Sequence, residues 1–143
     1  MKKEIKTVVS RRLSTDQCRT NPKTVFVFGD SLERYGEAGQ AVIRSMPNSI
    51  GFATKKKPSL TPDSFFTDNE YEDNCKIIEE EIEKIHLFIK ETKANSVAFS
   101  KWGIGTGLSS MPQKCPLTFL YLCKRLIEAF KFNNIEFLES KQF

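Results

Sequence analysis

The chain has 143 residues, of which 39% are hydrophobic and 28% charged, a composition typical of one globular domain with its own core. The formal net charge of +4 favours anionic partners, although it is too small by itself to indicate nucleic-acid binding. The sequence has neither an apolar run of transmembrane length nor the pattern of a secretory signal. We therefore expect a cytoplasmic protein with no membrane partner.

The four cysteines and the single histidine do not favour a metal site. No two cysteines form a C-x-x-C pair, and the four lie far apart in the sequence. Free and mostly buried thiols are typical of proteins in a reducing compartment. We therefore expect no metal and no cofactor.

The N-terminal residues 1–22 predict a strand and a short helix added to the main domain. Residues 5–9 have the pattern of a short edge strand. Ser14 and Gln17 stand three positions apart, as in a capping box in which Ser14 caps the helix and Gln17 reaches back. We expect this helix to end before Pro22.

Two further strands flank a polar segment that contains glycines. Residues 24–28 form a continuous β-branched and aromatic run, typical of a strand buried on both faces. Residues 40–46 predict about two helical turns, which Pro47 ends. Residues 49–54 predict the next strand, and a long loop follows it.

The second half of the chain alternates helices and strands. Isoleucines recur every three or four residues between positions 69 and 92, which predicts an amphipathic helix capped by Asp68 or Asn69. Residues 96–99 predict a strand, and residues 135–138 predict another. Between these two strands, a last helix is predicted to begin at Cys115-Pro116-Leu117, with Pro116 in its first turn. We expect its inner face to contain Leu120, Cys123, Leu126, Ile127 and Phe130.

This alternation predicts βαβ units and hence the fold class. We expect an α/β fold: a single compact three-layer domain over residues 1–143, with a mostly parallel sheet and βαβ crossovers. In open parallel sheets, ligands bind beyond the carboxyl ends of the strands. The strand ends near Gly29, Lys55 and Gly103 should therefore share one edge of the sheet.

The most informative motif follows the strand at residues 96–99. Glycine permits positive φ and leaves backbone N–H groups uncovered, so glycines at alternate positions can direct several donors toward an anion. The alternative is a structural turn. If the loop binds a ligand, Gly105→Val should block binding and leave the fold intact. The predicted ligand-binding residues of this loop are Gly103, Ile104, Gly105, Thr106, Gly107 and Leu108.

A second group of donors is predicted where the helix at residues 40–46 begins. The backbone N–H groups of Gly39, Gln40 and Ala41 would lie at a helix N-terminus, which favours anions. The alternative is a turn with close helix packing. Lys55, at the end of the next strand, would add a positive charge.

Two carboxylates are candidates for chemistry at the same edge. Gly29 and Asp30 directly follow the strand at residues 24–28. The Asp30 carboxylate could bind a ribose or an adenine amine, or it could cap the following loop as an Asx-turn. Glu37 is the other candidate for a general base, although it could simply be a surface residue. Three aromatic residues could stack on a base or fill the core: Phe65, Phe66 and Trp102.

These motifs, in this order, resemble a group of small, largely uncharacterised bacterial and phage proteins with a macrodomain-like outline. The group is itself distantly similar to ADP-ribose-binding macrodomains. The resemblance spans about residues 21–126 and is carried by six segments: Phe28-Gly29-Asp30-Ser31-Leu32, Gly39-Gln40-Ala41, Asn48 to Gly51, Thr54-Lys55, Phe65-Phe66-Thr67-Asp68 and Gly103 to Leu108.

The resemblance implies roles for two of these segments. Gly105, Thr106, Gly107 and Leu108 would surround a diphosphate and the distal ribose, and Asp30 would lie near the adenine. The chain has no Asn-x-Asn segment before Gly36, a feature of hydrolytic macrodomains, so the resemblance favours binding over hydrolysis.

We therefore predict binding of ADP-ribose or a related, for example cyclic, nucleotide. A hydrolase of an ADP-ribose derivative, with Asp30 or Glu37 assisting a water molecule, is one alternative. A nucleic-acid- or protein-interaction module with a basic patch is the other, and nucleic acid is the less favoured partner because no aromatic residues are interleaved with the cations. The patch would contain Lys55, Lys56, Lys57 and Arg44.

Overall fold

The computed structural model describes residues 4–136 and forms one α/β domain around a four-stranded parallel sheet. The strands are β1 (Lys6–Ser10), β2 (Thr24–Ser31), β3 (Ser49–Lys55) and β4 (Ser96–Ser100), and their order in the sheet is β1-β4-β2-β3. The predicted α/β class and parallel sheet are confirmed. β1 pairs with β4 along its whole length and forms one edge of the sheet, as predicted for the strand at residues 5–9.

Helices cover both faces of the sheet. The α-helices are α1 (Thr15–Thr20), α2 (Tyr71–Thr92), α3 (Met111–Lys114) and α4 (Pro116–Phe130). Val25 and Val27 of β2 face the larger core under α2 and α4, whereas Phe26 and Phe28 face a smaller core with α1. This alternation explains why residues 25–28 of β2 are all apolar, as a strand segment buried on both faces must be.

The long helix α2 follows its predicted pattern. Ile78, Ile82, Ile85 and Ile89 are all buried against the sheet, and the opposite face is charged. No helix within residues 4–136 is both long enough and apolar enough to cross a membrane.

Two helix caps differ from the prediction. Ser14 accepts a hydrogen bond from the Gln17 amide at 3.2 Å, but the Gln17 side chain donates to the Ser10 hydroxyl at 2.8 Å instead of reaching back. Asp68 does not cap α2; its carboxylate accepts hydrogen bonds from the amides of Leu117 and Thr118, both at 3.0 Å, at the start of α4. Spacing along the chain could not show this contact, because its partners are about fifty residues apart.

Two of the five residues predicted for the inner face of α4 are wrong, each by one position along the helix. Leu120 and Ile127 are exposed, and the buried apolar residues are Phe119, Leu122, Cys123, Leu126 and Phe130. Those five positions repeat at the helical period, whereas Leu120 and Ile127 lie about 100° further round the helix.

The strand predicted at residues 135–138 does not begin as expected. Ile135 lies in a turn, and Phe137 and Leu138 lie outside the described residues. The neighbouring Asn134 is buried, and its side chain bonds to the glycine loop as described below.

Candidate functional site

The side chain of Gln40 joins two strand ends that the sequence placed at one edge. Its Oε1 accepts a hydrogen bond from the Gly29 amide at 2.9 Å, and its Nε2 donates to the Gly103 carbonyl at 2.7 Å. A Cβ atom at Gly39 would lie 3.9 Å from Cδ1 of Leu108. The end of β2, the segment after β4 and residues 39–40 are therefore neighbours, and Gln40 holds them together instead of offering its amide to a ligand.

A cavity of about 290 Å³ lies at this edge, and we call it the rim cavity. Five of the twelve predicted ligand-binding residues line it: Gly29, Asp30, Ala41, Lys55 and Leu108. The other seven are not part of its wall: Gly39, Gln40, Gly103, Ile104, Gly105, Thr106 and Gly107. Nine residues outside the twelve predicted ligand-binding residues complete the wall: Ser31, Tyr35, Gly36, Ala38, Arg44, Pro58, Ser59, Leu60 and Ser109.

Packing explains two of the alternate glycines in the loop after β4. Gly103 and Gly105 have φ values of +78° and +80°. A Cβ atom would lie 2.6 Å from the carbonyl oxygen of Asn134 at Gly103, and 2.5 Å from Sδ of Met111 at Gly105. Gly105→Val would therefore disturb the core beside Met111, so the prediction that it spares the fold is wrong.

Asn134 fixes the same loop through a pair of hydrogen bonds. Its Oδ1 accepts from the Ile104 amide at 2.8 Å, and its Nδ2 donates to the Ile104 carbonyl at 2.9 Å. The Thr106 hydroxyl donates to the Trp102 carbonyl at 2.7 Å. Ile104 and Thr106 thus shape the loop, whereas the amides of residues 106–108 form no hydrogen bond with another described residue.

The predicted helix at residues 40–46 is a five-residue 3₁₀ helix, Gly39–Ile43. The Ala41 amide donates to the Ala38 carbonyl at 3.1 Å within this turn. So short a helix has little aligned dipole, and one of its first amides already has a partner. The prediction of an anion site at a helix N-terminus is wrong for this segment.

Asp30 lies in the wall of the rim cavity, but its carboxylate is occupied by protein partners. Arg44 donates to both carboxylate oxygens, at 3.0 and 2.5 Å, and the Ser31 amide donates at 2.8 Å. Arg34 lies 3.8 Å from the same carboxylate. The Asp30 side chain therefore orients Arg44 and has little capacity left for a ligand. Glu37 is exposed and does not line the cavity.

Two buried wall residues, Lys55 and Ser31, have polar groups that lack either a counter-charge or a hydrogen-bond partner within the described chain. The Lys55 residue is 6% exposed, and no carboxylate among residues 4–136 lies within ion-pair distance of its Nζ. Burial lowers the pKa of Lys55 from its ordinary value. Ser31 is 3% exposed, and its hydroxyl has no hydrogen-bond partner within the described chain. Buried polar groups are rarely left in this state, which makes them candidates to receive a ligand.

The Lys55 ammonium is held in place by neutral groups. It donates to the Ser59 carbonyl at 2.7 Å and more distantly to the Leu108 carbonyl at 3.5 Å, and it lies 4.5 Å from the centre of the Phe65 ring. An ammonium group has three donors, so at least one remains for a ligand.

The wall of the rim cavity carries a net positive charge. Its charged residues are the cations Arg44 and Lys55 and the carboxylate Asp30. Because Arg44 pairs with Asp30, the charge of Lys55 is left in excess. An anionic ligand would balance that excess.

The basic patch predicted for the interaction alternative does not form. Lys56 pairs with Glu70 at 2.6 Å, and Lys57 pairs with Asp63 at 2.8 Å. Lys55 is buried, and Arg44 is bound to Asp30. These four cations are therefore not presented together as a surface.

The aromatic candidates lie outside the rim cavity. Phe65 and Phe66 are buried beneath the loop, and Trp102 is partly exposed beside Lys101, whose Nζ lies 4.8 Å from the ring centre. The aromatic residue that does line the cavity is Tyr35, which the sequence prediction missed. Its position in a polar loop gave no periodic signal.

A larger cavity of about 1070 Å³ lies at the opposite, amino, ends of the strands. It is lined by the starts of β1 and β4 and the ends of α2 and α4, and it borders Glu4, the first described residue. Ligands in open parallel sheets bind at the carboxyl ends, so we favour the rim cavity as the functional site. Within the described part of the chain, no three His, Cys, Asp or Glu side chains are grouped as a metal site requires.

Comparison with known proteins identifies a family but not an activity. No curated protein and no solved structure matches the chain, so the resemblance to macrodomains stays a prediction. One family model, described as a family of unknown function, matches residues 8–125, a range that includes every wall residue of the rim cavity. The chain belongs to this family, DUF7831.

Proposed function

We propose that this protein binds ADP-ribose or a related nucleotide in the rim cavity, with a phosphate group placed against Lys55 and Ser31. The observation that carries the proposal is that the wall of the cavity contains both the buried Lys55, which has no carboxylate partner, and the buried Ser31 hydroxyl, which has no hydrogen-bond partner; the two residues are paired across β2 and β3. A phosphate would supply both the negative charge and the hydrogen-bond acceptors that these groups lack.

The size and position of the cavity support a nucleotide over a simple ion. About 290 Å³ is close to the lower limit of pockets that enclose drug-sized ligands, and it far exceeds the space of a single phosphate. The backbone amide of the wall residue Leu108, together with those of residues 106–107 just outside the wall, could donate to a second phosphate. A ligand with two phosphates would use both groups of donors.

The geometry favours binding over hydrolysis. Asp30 is bound to Arg44 and to the Ser31 amide, and Glu37 lies outside the cavity wall. A general base must reach a water molecule beside the bond to be broken. We therefore expect ADP-ribose to be recovered unaltered after incubation with the protein, as measured by chromatography.

Calorimetric titration tests the proposal directly. ADP-ribose and its cyclic derivatives would be titrated into the wild-type protein and into Lys55→Met, Ser31→Ala and the control Lys90→Met, which alters an exposed lysine in the last turn of α2. We expect binding by the wild-type protein and by Lys90→Met. Loss of the hydrogen bond from the Ser31 hydroxyl to the charged phosphate in Ser31→Ala should weaken binding by roughly tenfold or more. No heat from any of these ligands at millimolar concentration would refute the proposal.

A further inference from the structure

Three large apolar side chains stand in solvent around the rim cavity. Tyr35, Leu60 and Leu108 are 59%, 75% and 58% exposed, and all three line the cavity. We call them the apolar mouth. Single exposed apolar residues are ordinary, but a group of them around one cavity marks a surface that a partner covers.

The backbone that carries Tyr35 is fixed on both sides. On one side, Arg34 takes a positive φ of +59° and its guanidinium pairs with Glu81 at 2.6 Å and donates to the Gly51 carbonyl at 3.3 Å. On the other side, the Gly36 carbonyl accepts a hydrogen bond from Nε of Arg44 at 2.8 Å. A non-glycine residue keeps a positive φ only where its surroundings impose it. The exposed Tyr35 ring is therefore presented from a fixed loop.

Leu60 is also presented from a fixed backbone. The Ser59 carbonyl before it accepts the hydrogen bond from Lys55. The hydroxyls of Ser59 and Thr61, on either side of Leu60, are hydrogen-bonded to each other at 2.9 Å. The leucine is thus held at the mouth by the same ammonium that lies in the wall.

Leu108 repeats this arrangement on the third side of the mouth. Its carbonyl lies 3.5 Å from Nζ of Lys55, and the hydroxyl of the following Ser109 is hydrogen-bonded to Thr54 at 2.5 Å. The loops of Tyr35 and Leu60 also touch, since a Cβ atom at Gly36 would lie 3.6 Å from Cβ of Pro58. Three exposed apolar side chains on three anchored loops form one preorganised surface.

We infer that the apolar mouth binds the planar base of a nucleotide, and that Tyr35 determines the preference for ligands with a base over sugar phosphates. This inference rests on the proposed function, because it places the phosphate at Lys55 and Ser31 and the base outside them. A sugar phosphate would satisfy the polar wall and leave the mouth in water. A ligand with both a phosphate and a flat ring would cover both, with the ring against Tyr35.

A matched pair of ligands tests the inference. AMP and ribose 5-phosphate share a sugar and a terminal phosphate and differ in the base. Each would be titrated by calorimetry into the wild-type protein, Tyr35→Ala, Tyr35→Phe and Leu60→Ser, with Leu120→Ser as a control at an exposed leucine of α4. Thermal unfolding of each variant would check the fold, which should be unaffected because these side chains are exposed.

We expect the wild-type protein to bind AMP about tenfold more tightly than ribose 5-phosphate. Tyr35→Ala should remove most of that difference without changing the affinity for ribose 5-phosphate, whereas Tyr35→Phe should keep it because the ring remains. Leu60→Ser should weaken AMP binding, and Leu120→Ser should not. Equal affinities for the two ligands, or an AMP affinity unaffected by Tyr35→Ala, would overturn the inference and leave the phosphate site standing. Failure of AMP, ribose 5-phosphate and ADP-ribose alike to bind would instead refute the proposed function.

Discussion

Replacing Lys55 by methionine should separate ligand binding from stability. The substitution keeps the apolar stem and removes the ammonium, together with its hydrogen bond of 2.7 Å to the Ser59 carbonyl and its contact with the Phe65 ring. Hydrogen bonds to charged groups contribute about 1.5–3 kcal/mol. Burying a charge that has no carboxylate partner costs several kcal/mol even after relaxation, and the variant no longer has this cost.

These two effects nearly cancel in the free energy of unfolding. Ser59 and Leu108 are exposed, so water can replace the ammonium at their carbonyls. We expect the free energy of unfolding to change by less than about 1.5 kcal/mol in either direction. Urea unfolding followed by circular dichroism measures this change, with Lys90→Met as the matched control.

The affinity for a phosphate ligand should change much more. Loss of one charge-assisted hydrogen bond, worth about 1.5–3 kcal/mol, corresponds to a roughly 10- to 150-fold weaker affinity. Calorimetry with ADP-ribose on the same protein samples measures it. A variant that is strongly destabilised but binds with unchanged affinity would show that Lys55 supports the fold alone, and would refute this reasoning.

Four further predictions concern charge and burial. Asp30→Ala leaves Arg44 without its carboxylate and should lower the free energy of unfolding in urea by about 2–4 kcal/mol. A loss below about 1 kcal/mol would contradict a stabilising role for the Asp30–Arg44 ion pair. Burial lowers the pKa of Lys55 below its ordinary 10.5, so the affinity for ADP-ribose should fall as the pH rises through that lowered pKa. An affinity unchanged between about pH 7 and about pH 10.5 would argue against an ammonium at the phosphate. Burial alone would raise the pKa of Asp68, but hydrogen bonds from Leu117 and Thr118 outweigh it and lower the pKa, so the stability from this cap is present above the ordinary pKa of 3.8 and lost as the pH falls through the lowered value. Asp68→Asn should lower the free energy of unfolding in urea by about 0.5–2 kcal/mol near neutral pH, and this variant should lose less stability on acidification than the wild-type protein. Equal losses of stability on acidification in both proteins would count against the cap. Burial raises the pKa of Cys115 to about 12 and that of Cys123 to about 11. A thiol reagent should therefore modify the half-buried Cys75 before these two in the native protein. Mass spectrometry that found Cys115 modified at the same rate as Cys75 would refute this.

Local patterns predicted the elements of the fold because local physics forms them. The isoleucines of α2 recur at the helical period, and the apolar run of β2 has the composition of a doubly buried strand. The predicted strand ends also meet, since parallel strands share a direction. The order β1-β4-β2-β3 depends on contacts between distant segments and was not predicted.

The residues of the site were harder to predict, because one residue type serves several physical purposes. Gly105 has the conformation expected of a phosphate loop, but packing against Met111 requires the same residue. Gln40 and Asp30 have the polarity of ligand-binding residues, but partners far along the chain occupy their side chains. Only the three-dimensional structure shows which polar groups remain without a partner, and it therefore adds Ser31 to the candidate site.

Diffraction from crystals of the protein grown with ADP-ribose would test the central claim most directly. The claim predicts a phosphate group of the ligand within hydrogen-bond distance of Nζ of Lys55 and Oγ of Ser31, inside the rim cavity. A ligand whose phosphates lie elsewhere on the molecule, with the cavity between Lys55 and Ser31 left to water, would contradict it.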